Sequence, residues 1–416
     1  MRGDAEQGAE AGVASCARSV AHLWDALPRV LVGSLAPAAD AAKYAAGLGD
    51  RTLVQRLRSA PPLYFLGLIV VLFFIGLPTV VSSFQSSEWT QVLIFAIVIM
   101  GLNILVGYSG QISLGHGALM AVGAYTSAIL IHRYQVDYLI TIPIAGLLTG
   151  VVGFVLGIPA LRLSALYLAL ATFALAVVAP SLIKRPVQLT GGVQGILLTP
   201  PDPPQFAKDA FAAVTGGLEM TSDQWIYYVS LILALLLFWL AWNLVRHRPG
   251  RAMRAIRDRE VAAAASGINV AAYKTMAFGI SAFYAGIGGA LYGLSIGFVS
   301  PDTFPLALSF QLLVGAVIGG LASITGPLVG GIFTFWLPIV SSQFVASQPW
   351  IPAGIAAAFK NAGPQVTYGA LLIAIMIFAP NGVVGLVTVG YARLQARLRG
   401  AGDRGSGQMP SDPQTV

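Results

Sequence analysis

The sequence predicts an all-α fold, a polytopic membrane helix bundle of about ten transmembrane helices. Three observations carry that prediction. The 416 residues are 56% hydrophobic and only 10% charged, with a mean hydropathy of +0.77. Runs such as LYFLGLIVVLFFIGLPTVV and IYYVSLILALLLFWLAWNLV carry no charge over lengths that cross a hydrocarbon core of about 30 Å. The 47 glycines suit a class in which small residues let helices approach closely where lipid supplies no hydrophobic drive between them.

Taken in order, residues 1–60 mix Asp4, Glu6, Glu10, Asp25 and Asp40 with scattered arginines and hold no run long enough to span. They read as a cytoplasmic N-terminal extension without a cleaved signal. The apolar body, 61–392, holds spans near 62–84, 90–107, 113–132, 137–158, 166–184, 225–245, 270–296, 307–324, 327–346 and 367–389. A cytoplasmic tail, 393–416, follows. The stretch 101–132 is broken by GYSGQISLGHG and reads either as a discontinuous or re-entrant helix or as a pair of spans.

Charge then sets the sides. Six arginines crowd into residues 246–259, and basic loops between spans mark the cytoplasmic face. With loop 246–269 inside, Arg51, Arg56, Arg58, Arg162, Arg393, Arg397 and Arg399 also fall inside, so both termini are cytoplasmic. Glu88, Asp137, Asp302 and the Pro-rich loop 185–224 fall outside, while His132, Arg133, Lys184, Arg185 and Lys360 run against the trend. The net charge of +7 suits loops that face the cytoplasm and anionic lipid, and it needs no nucleic acid.

Several function classes are disfavoured. One cysteine, Cys16, excludes an intrachain disulfide and thiolate-rich metal sites, and four scattered histidines disfavour a haem bundle. Neither a metal nor another cofactor is expected. Away from their edges the spans hold no Asp, Glu or Arg, and Lys274 lies near an inner end where it can snorkel. Proton-coupled and voltage-driven proteins usually need such groups. The chain also lacks a G-x-x-x-x-G-K-[ST] phosphate loop, so energy for active transport would come from another subunit.

Two regions are candidates for function. Loop 246–269 has Pro249 near a first turn and Gly267 where a C-terminal cap belongs, predicting a helix over about Gly250 to Ser266, roughly 25 Å long. Met253, Ile256 and Ala263 fall close to one face. This is either a docking helix for a partner or a solvated topological anchor. Asn103, Gln111, Ser113 and His116 cluster in the glycine-broken region, either as part of a transport pathway or as hydrogen-bonding groups between helices. Rows of small residues follow: Gly289, Gly293, Gly297; Ala282, Gly286, Ala290; Gly315 with Gly319; Gly326 with Gly330. They predict close helix crossings, by default within the chain.

GLNILVGYSGQISLGHGALMAVGAY (101–125), TGGVQGI (190–196) and GRAMRAIRDREVAAAASGINVAAYKTMAFGISAFYAGIGGALYG (250–293) resemble bacterial ABC-importer permeases of the branched-chain amino-acid type, the LivM-like subunits. The resemblance extends over roughly 90–390. It implies a non-enzymatic permease subunit in the bacterial inner membrane, paired with a LivH-like permease and two ABC ATPase subunits and fed by an external substrate-binding protein. It also implies that Arg251, Arg254, Arg257, Glu260 and Gly267 belong to the loop that couples to the ATPase. Gly267 follows Glu260 by seven residues, where importers at large place a glycine six after the glutamate. The alternatives are a permease of the same family for urea, amides or aromatic acids, or a secondary transporter acting alone.

Overall fold

The computed structural model describes residues 82–160, 165–215, 219–347 and the isolated positions 76, 78, 217, 369, 373 and 382–385. All belong to one compact unit, 74–416. The expected N-terminal extension, C-terminal tail and Lys360 lie outside the described residues, as do nearly all of the first and last spans.

The first helix, α1 (Ser83–Leu102), widens into a π-helical turn at Asn103–Tyr108. Next come α2 (His116–Tyr134), α3 (Tyr138–Ala160) and α4 (Ala165–Lys184). A segment on one end of the bundle holds a one-turn helix α5 (Val187–Thr190), strand β1 (Ile196–Leu197) and α6 (Gln205–Thr215). The chain crosses back as α7 (Ser222–Arg246) and forms α8 (Arg248–Asp258) and α9 (Glu260–Ala265). It returns as α10 (Val270–Ile296), pairs β2 (Phe298–Val299) with β1, and continues into α11 (Leu306–Gly319) and α12 (Gly326–Ser347).

Helix starts follow capping chemistry more than hydropathy. The second span begins at Ser83 rather than near residue 90. The Ser82 hydroxyl accepts the Gln85 N–H, and the Gln85 side chain accepts the Ser82 N–H at 3.3 Å, so a polar turn joins the helix. Thr221 and Gln224 repeat the device at the start of α7. The other end of α11 is corrected as well. It stops at Gly319, not 324, because Gly320 (φ 113°) and Ala322 (φ 59°) leave helical space.

Among the described residues, six helical segments are long and apolar enough to cross a membrane: Ser83–Tyr108, Tyr138–Pro159, Tyr167–Lys184, Ser222–Arg246, Val270–Ile296 and Pro301–Gly319. Helix α2 stands where a further span was expected, yet it carries His116, Tyr125, Thr126 and Ser127. Most of its first thirteen residues are buried in protein, so it has little need of a lipid-facing surface. The glycine-broken stretch is a discontinuity between two helices rather than one continuous run.

Helices α1 and α10 form the centre: 89% and 78% of their most apolar stretches are buried, against 33% for α3 and 28% for α4. Around them pack α2, α3, α7, α11 and α12. The outer faces of α3 and α7 instead expose Leu147, Val151, Phe154, Ile232, Leu236 and Trp239, the arrangement expected against lipid. Small residues make the crossings, and they do so within the chain. A Cβ on Gly289 would collide with the Met120 carbonyl of α2, and one on Gly319 with the Gly326 carbonyl.

Polar contacts sort the elements onto two ends. At one end Lys184 pairs with Asp302 at 2.8 Å, Trp225 Nε1 donates to the Tyr138 hydroxyl at 2.7 Å, and β1 meets β2. The 185–224 segment is folded there. Gly191 and Gly195 take left-handed conformations (φ 71° and 72°), and a Cβ on Gly195 would run into the Val299 carbonyl. Ala207, Phe211 and Met220 form a small core under α6 with Trp225 and Tyr228. Two of the basic residues that ran against the charge trend have local partners: Lys184 in its ion pair, and Arg133 on the Gln188 carbonyl at 3.5 Å. At the opposite end lie α8, α9 and the π-helical turn.

Candidate functional site

The loop between α7 and α10 is not the single helix that its caps suggested. Arg259 is extended (φ −154°, ψ 100°) and makes an elbow between α8 and α9. Gly267 (φ 82°) closes α9 with a paired backbone turn: its N–H reaches Ala264 O at 3.0 Å, and Ile268 N–H reaches Ala263 O at 3.1 Å. Elbow and turn together bring the chain back in time for α10, which Asn269 caps by accepting the Ala272 N–H at 3.1 Å. Met253, Ile256 and Ala263 are all buried, as their spacing predicts, and fasten the pair to the bundle.

The arginines are tied inward. Arg251 donates to Arg246 O at 3.1 Å, and Arg254 donates to Gly250 O and Val245 O, both at 3.3 Å. The Val245 and Arg246 carbonyls belong to the last turn of α7, where a cation offsets unsatisfied backbone, and the Gly250 carbonyl lies in the first turn of α8. Arg257 reaches farther, donating to the Gly107 carbonyl in the π-helical turn of α1. Glu260 pairs with Lys274 of α10 at 2.7 Å. Beside the exposed charges of Arg248, Asp258 and Arg259, α9 presents a small apolar patch: Val261 is 84% exposed, next to exposed Ala262, Ala264 and Ala265.

The four polar candidates at the chain break are buried and bonded. Asn103 accepts the Ala322 N–H at 2.8 Å and donates to Ser323 O at 2.6 Å. Helix α11 ends at Gly319, and Gly320 and Ala322 after it leave helical space. Asn103 thus satisfies the irregular backbone that follows it. Gln111 Nε2 donates to Ser109 Oγ at 2.8 Å and to Lys274 O at 3.2 Å, while its buried Oε1 has no partner among the described residues. Ser113 accepts the Gly115 N–H and lies 3.2 Å from His116 Nδ1. His116 Nε2 lies 2.6 Å from Ser281 Oγ, which itself donates to Gly101 O at 2.7 Å. Ser281 has one proton and gives it to that carbonyl, so His116 carries its proton on Nε2 and accepts from Ser113 on Nδ1. A one-way chain of donors thereby joins α2, α10 and α1.

Sequence reading missed Ser281, Thr172 and Ser309. Thr172 accepts the Leu114 N–H at 3.0 Å and Ser309 the Gly117 N–H at 2.9 Å, holding the break from α4 and α11. Lone hydroxyls in apolar spans were the available signal. A separate groove of about 620 Å³ lies between α3 and α7, lined by Tyr138, Trp225, Leu236, Phe283 and Ile287, and none of the four polar candidates lines it. Among the described residues no three His, Cys, Asp or Glu side chains gather as a metal site would require.

Comparison with known proteins agrees with this architecture. The family described as "Branched-chain amino acid transport system / permease component" matches residues 86–380. The chain is 32% identical to the high-affinity branched-chain amino acid transport system permease protein LivM of Salmonella typhimurium over 335 residues, 77% of this chain and 74% of that protein. It is 32% identical to LivM of Escherichia coli over 356 residues, 82% and 78% of the two chains. To the permease protein LivH of Salmonella typhimurium it is 25% identical over 301 residues, 70% and 91% of the two. No solved structure matches it. The match spans both the chain break at 101–125 and the elbowed loop at 250–269, so the two candidate regions lie inside the family's own boundaries, and the chain belongs to the branched-chain amino-acid transport permease family.

Proposed function

We propose that this chain is one of two permease subunits of an ATP-driven importer for branched-chain amino acids, and that α8 and α9 are where the ATPase pushes. The observation that carries this reading is the folded loop itself. Two helices anchored by Met253, Ile256 and Ala263 present Val261 and neighbouring alanines outward. A topological anchor needs only charge, whereas an apolar knob on a braced helix suits a groove in another protein. The similarity to both LivM and LivH relatives supports a homologous second permease, because related halves enclose a pathway between them.

In this reading the chain is multi-pass in the cytoplasmic (inner) membrane with both termini inside. Residues 1–60 and 393–416 are cytoplasmic flanks of the 61–392 permease domain, and the folded 185–224 segment faces the external binding protein. Nucleotide-driven closure of two ATPase subunits moves α8 and α9, and the bundle changes which end is open. Arg251, Arg254, Arg257, Glu260 and Gly267 shape the moving piece. Asn103, Gln111, Ser113 and His116 lie along the seam that must loosen when the inner end opens.

The test is affinity purification of the tagged full chain from gently solubilised membranes, with mass spectrometry of its companions and uptake of labelled leucine by the same cells. A second permease and P-loop ATPases, together with leucine uptake that ATP depletion abolishes, are the expected result. Recovery of the chain alone, with uptake that follows an ion gradient instead, would replace the importer reading with a secondary transporter.

A further inference from the structure

The loop arginines resemble one another in sequence and differ in what they hold. Arg251 and Arg254 bond only to the backbone of 245–250, next to them in the chain. Among the described residues, Arg257 is the loop arginine whose guanidinium bonds a different span: the Gly107 carbonyl, 150 residues away in sequence. Its stem is seated as well. A Cβ on Gly110 would lie 3.1 Å from Arg257 Cγ and 3.4 Å from its Cβ, so Gly110 provides the space that the arginine occupies.

The receiving end is unusual backbone. Residues 103–108 form a π-helical turn that Ser109 N–H closes on Ile104 O at 3.1 Å, and just past it Gln111 N–H bonds Leu105 O at 3.1 Å. Neither α1 nor this turn has a basic residue in its own last turn. The cation that faces the negative end of the helix therefore comes from α8. One turn earlier, Asn103 grips both Ala322 and Ser323 in the loop joining α11 to α12. Just beyond, Gln111 bonds the Lys274 carbonyl at the start of α10. A displacement of Arg257 is thus passed to α1, and from α1 to two further elements, through bonds with fixed geometry.

We propose that Arg257 is a positioning residue that carries movement of the ATPase-facing helices into the permease core, rather than a contact to the ATPase. The proposal rests on the importer reading above. Its mechanical content is narrow: α8 and the π-helical end of α1 move together because Arg257 bonds Gly107 O and packs on Gly110. Lysine in its place keeps the charge but loses the planar fork and so the fixed direction of the bond.

The test uses the full transporter, with Arg257→Ala and Arg257→Lys in the tagged chain. Four quantities are read: ATPase co-purification, ATP hydrolysis in lipid nanodiscs, labelled leucine uptake in cells, and hydrogen exchange of the 105–111 amides. For Arg257→Ala the expected result is co-purification and hydrolysis within about twofold of the native complex, uptake reduced at least about tenfold, and exchange at 105–111 faster by about tenfold. Arg257→Lys should fall between, and it decides the matter if the alanine variant does not accumulate. Unchanged exchange at 105–111 in both variants overturns the proposal, as does uptake within twofold of native in the alanine variant. Loss of co-purification with unchanged exchange makes Arg257 an ATPase contact instead. If the native chain brings down no ATPase, the importer reading falls. The exchange measurement still reports on the Arg257–Gly107 link.

Discussion

Replacing His116 with alanine removes the ends of two hydrogen bonds at once and leaves Ser113 and Ser281 facing a cavity. Replacing Ser281 removes the acceptor of His116 and the donor to Gly101 O. In membrane interiors such bonds contribute about 0.5–2 kcal/mol each. His116→Ala and Ser281→Ala should each lower stability by about 1–3 kcal/mol. The double variant should cost about 1 kcal/mol less than the sum of the two, because the bond they share is lost only once. Unfolding of the purified chain in mixed micelles measures this, and strict additivity would show that the two do not interact. Very little of this chain of donors was legible beforehand. His116 and Ser113 stand out in an apolar stretch, but Ser281 is 165 residues from His116, and a lone hydroxyl in an apolar span does not say which partner it meets.

At the scale of elements, α9 makes the clearest prediction. Val261→Asp places a charge on the most exposed apolar side chain of the loop while leaving the buried Met253, Ile256 and Ala263 alone. Thermal stability should stay within about 0.5 kcal/mol of native, and ATPase recovery with the tagged chain should drop several-fold. A normal yield of ATPase would move the docking surface off α9. The existence of a folded loop was readable from Pro249 and Gly267, because proline and glycine act through local backbone preference. The elbow was not, since Arg259 is neither and its extended backbone serves the return to α10. The early starts of α1 and α7 were readable in S-x-x-Q and T-x-x-Q at 82–85 and 221–224, but averaging over apolar runs hides a polar first turn.

For the whole molecule, the sorting of contacts onto two ends agrees with sides assigned from charge alone: 107, 257, 274 and 322 share one end, and 138, 184, 225 and 302 the other. With Cys16→Ser as background, an impermeant maleimide should label Asp202→Cys in intact cells and Ser266→Cys only after permeabilisation, both positions being exposed. The reverse pattern would invert the protein in the membrane. Class was legible because hydropathy is additive along the chain, whereas contacts between distant segments leave no trace in it. The pairing of β1 with β2 and of Lys184 with Asp302 has one more consequence, for the order of events on the ribosome. Lys184 meets a partner 118 residues downstream, so at a translation rate of about 5–20 residues per second it waits roughly 6–24 s. Until β2 and Asp302 have been synthesised, the end of the bundle that holds β1 is a half-made hem, and that interval is when a protease on that side would find it.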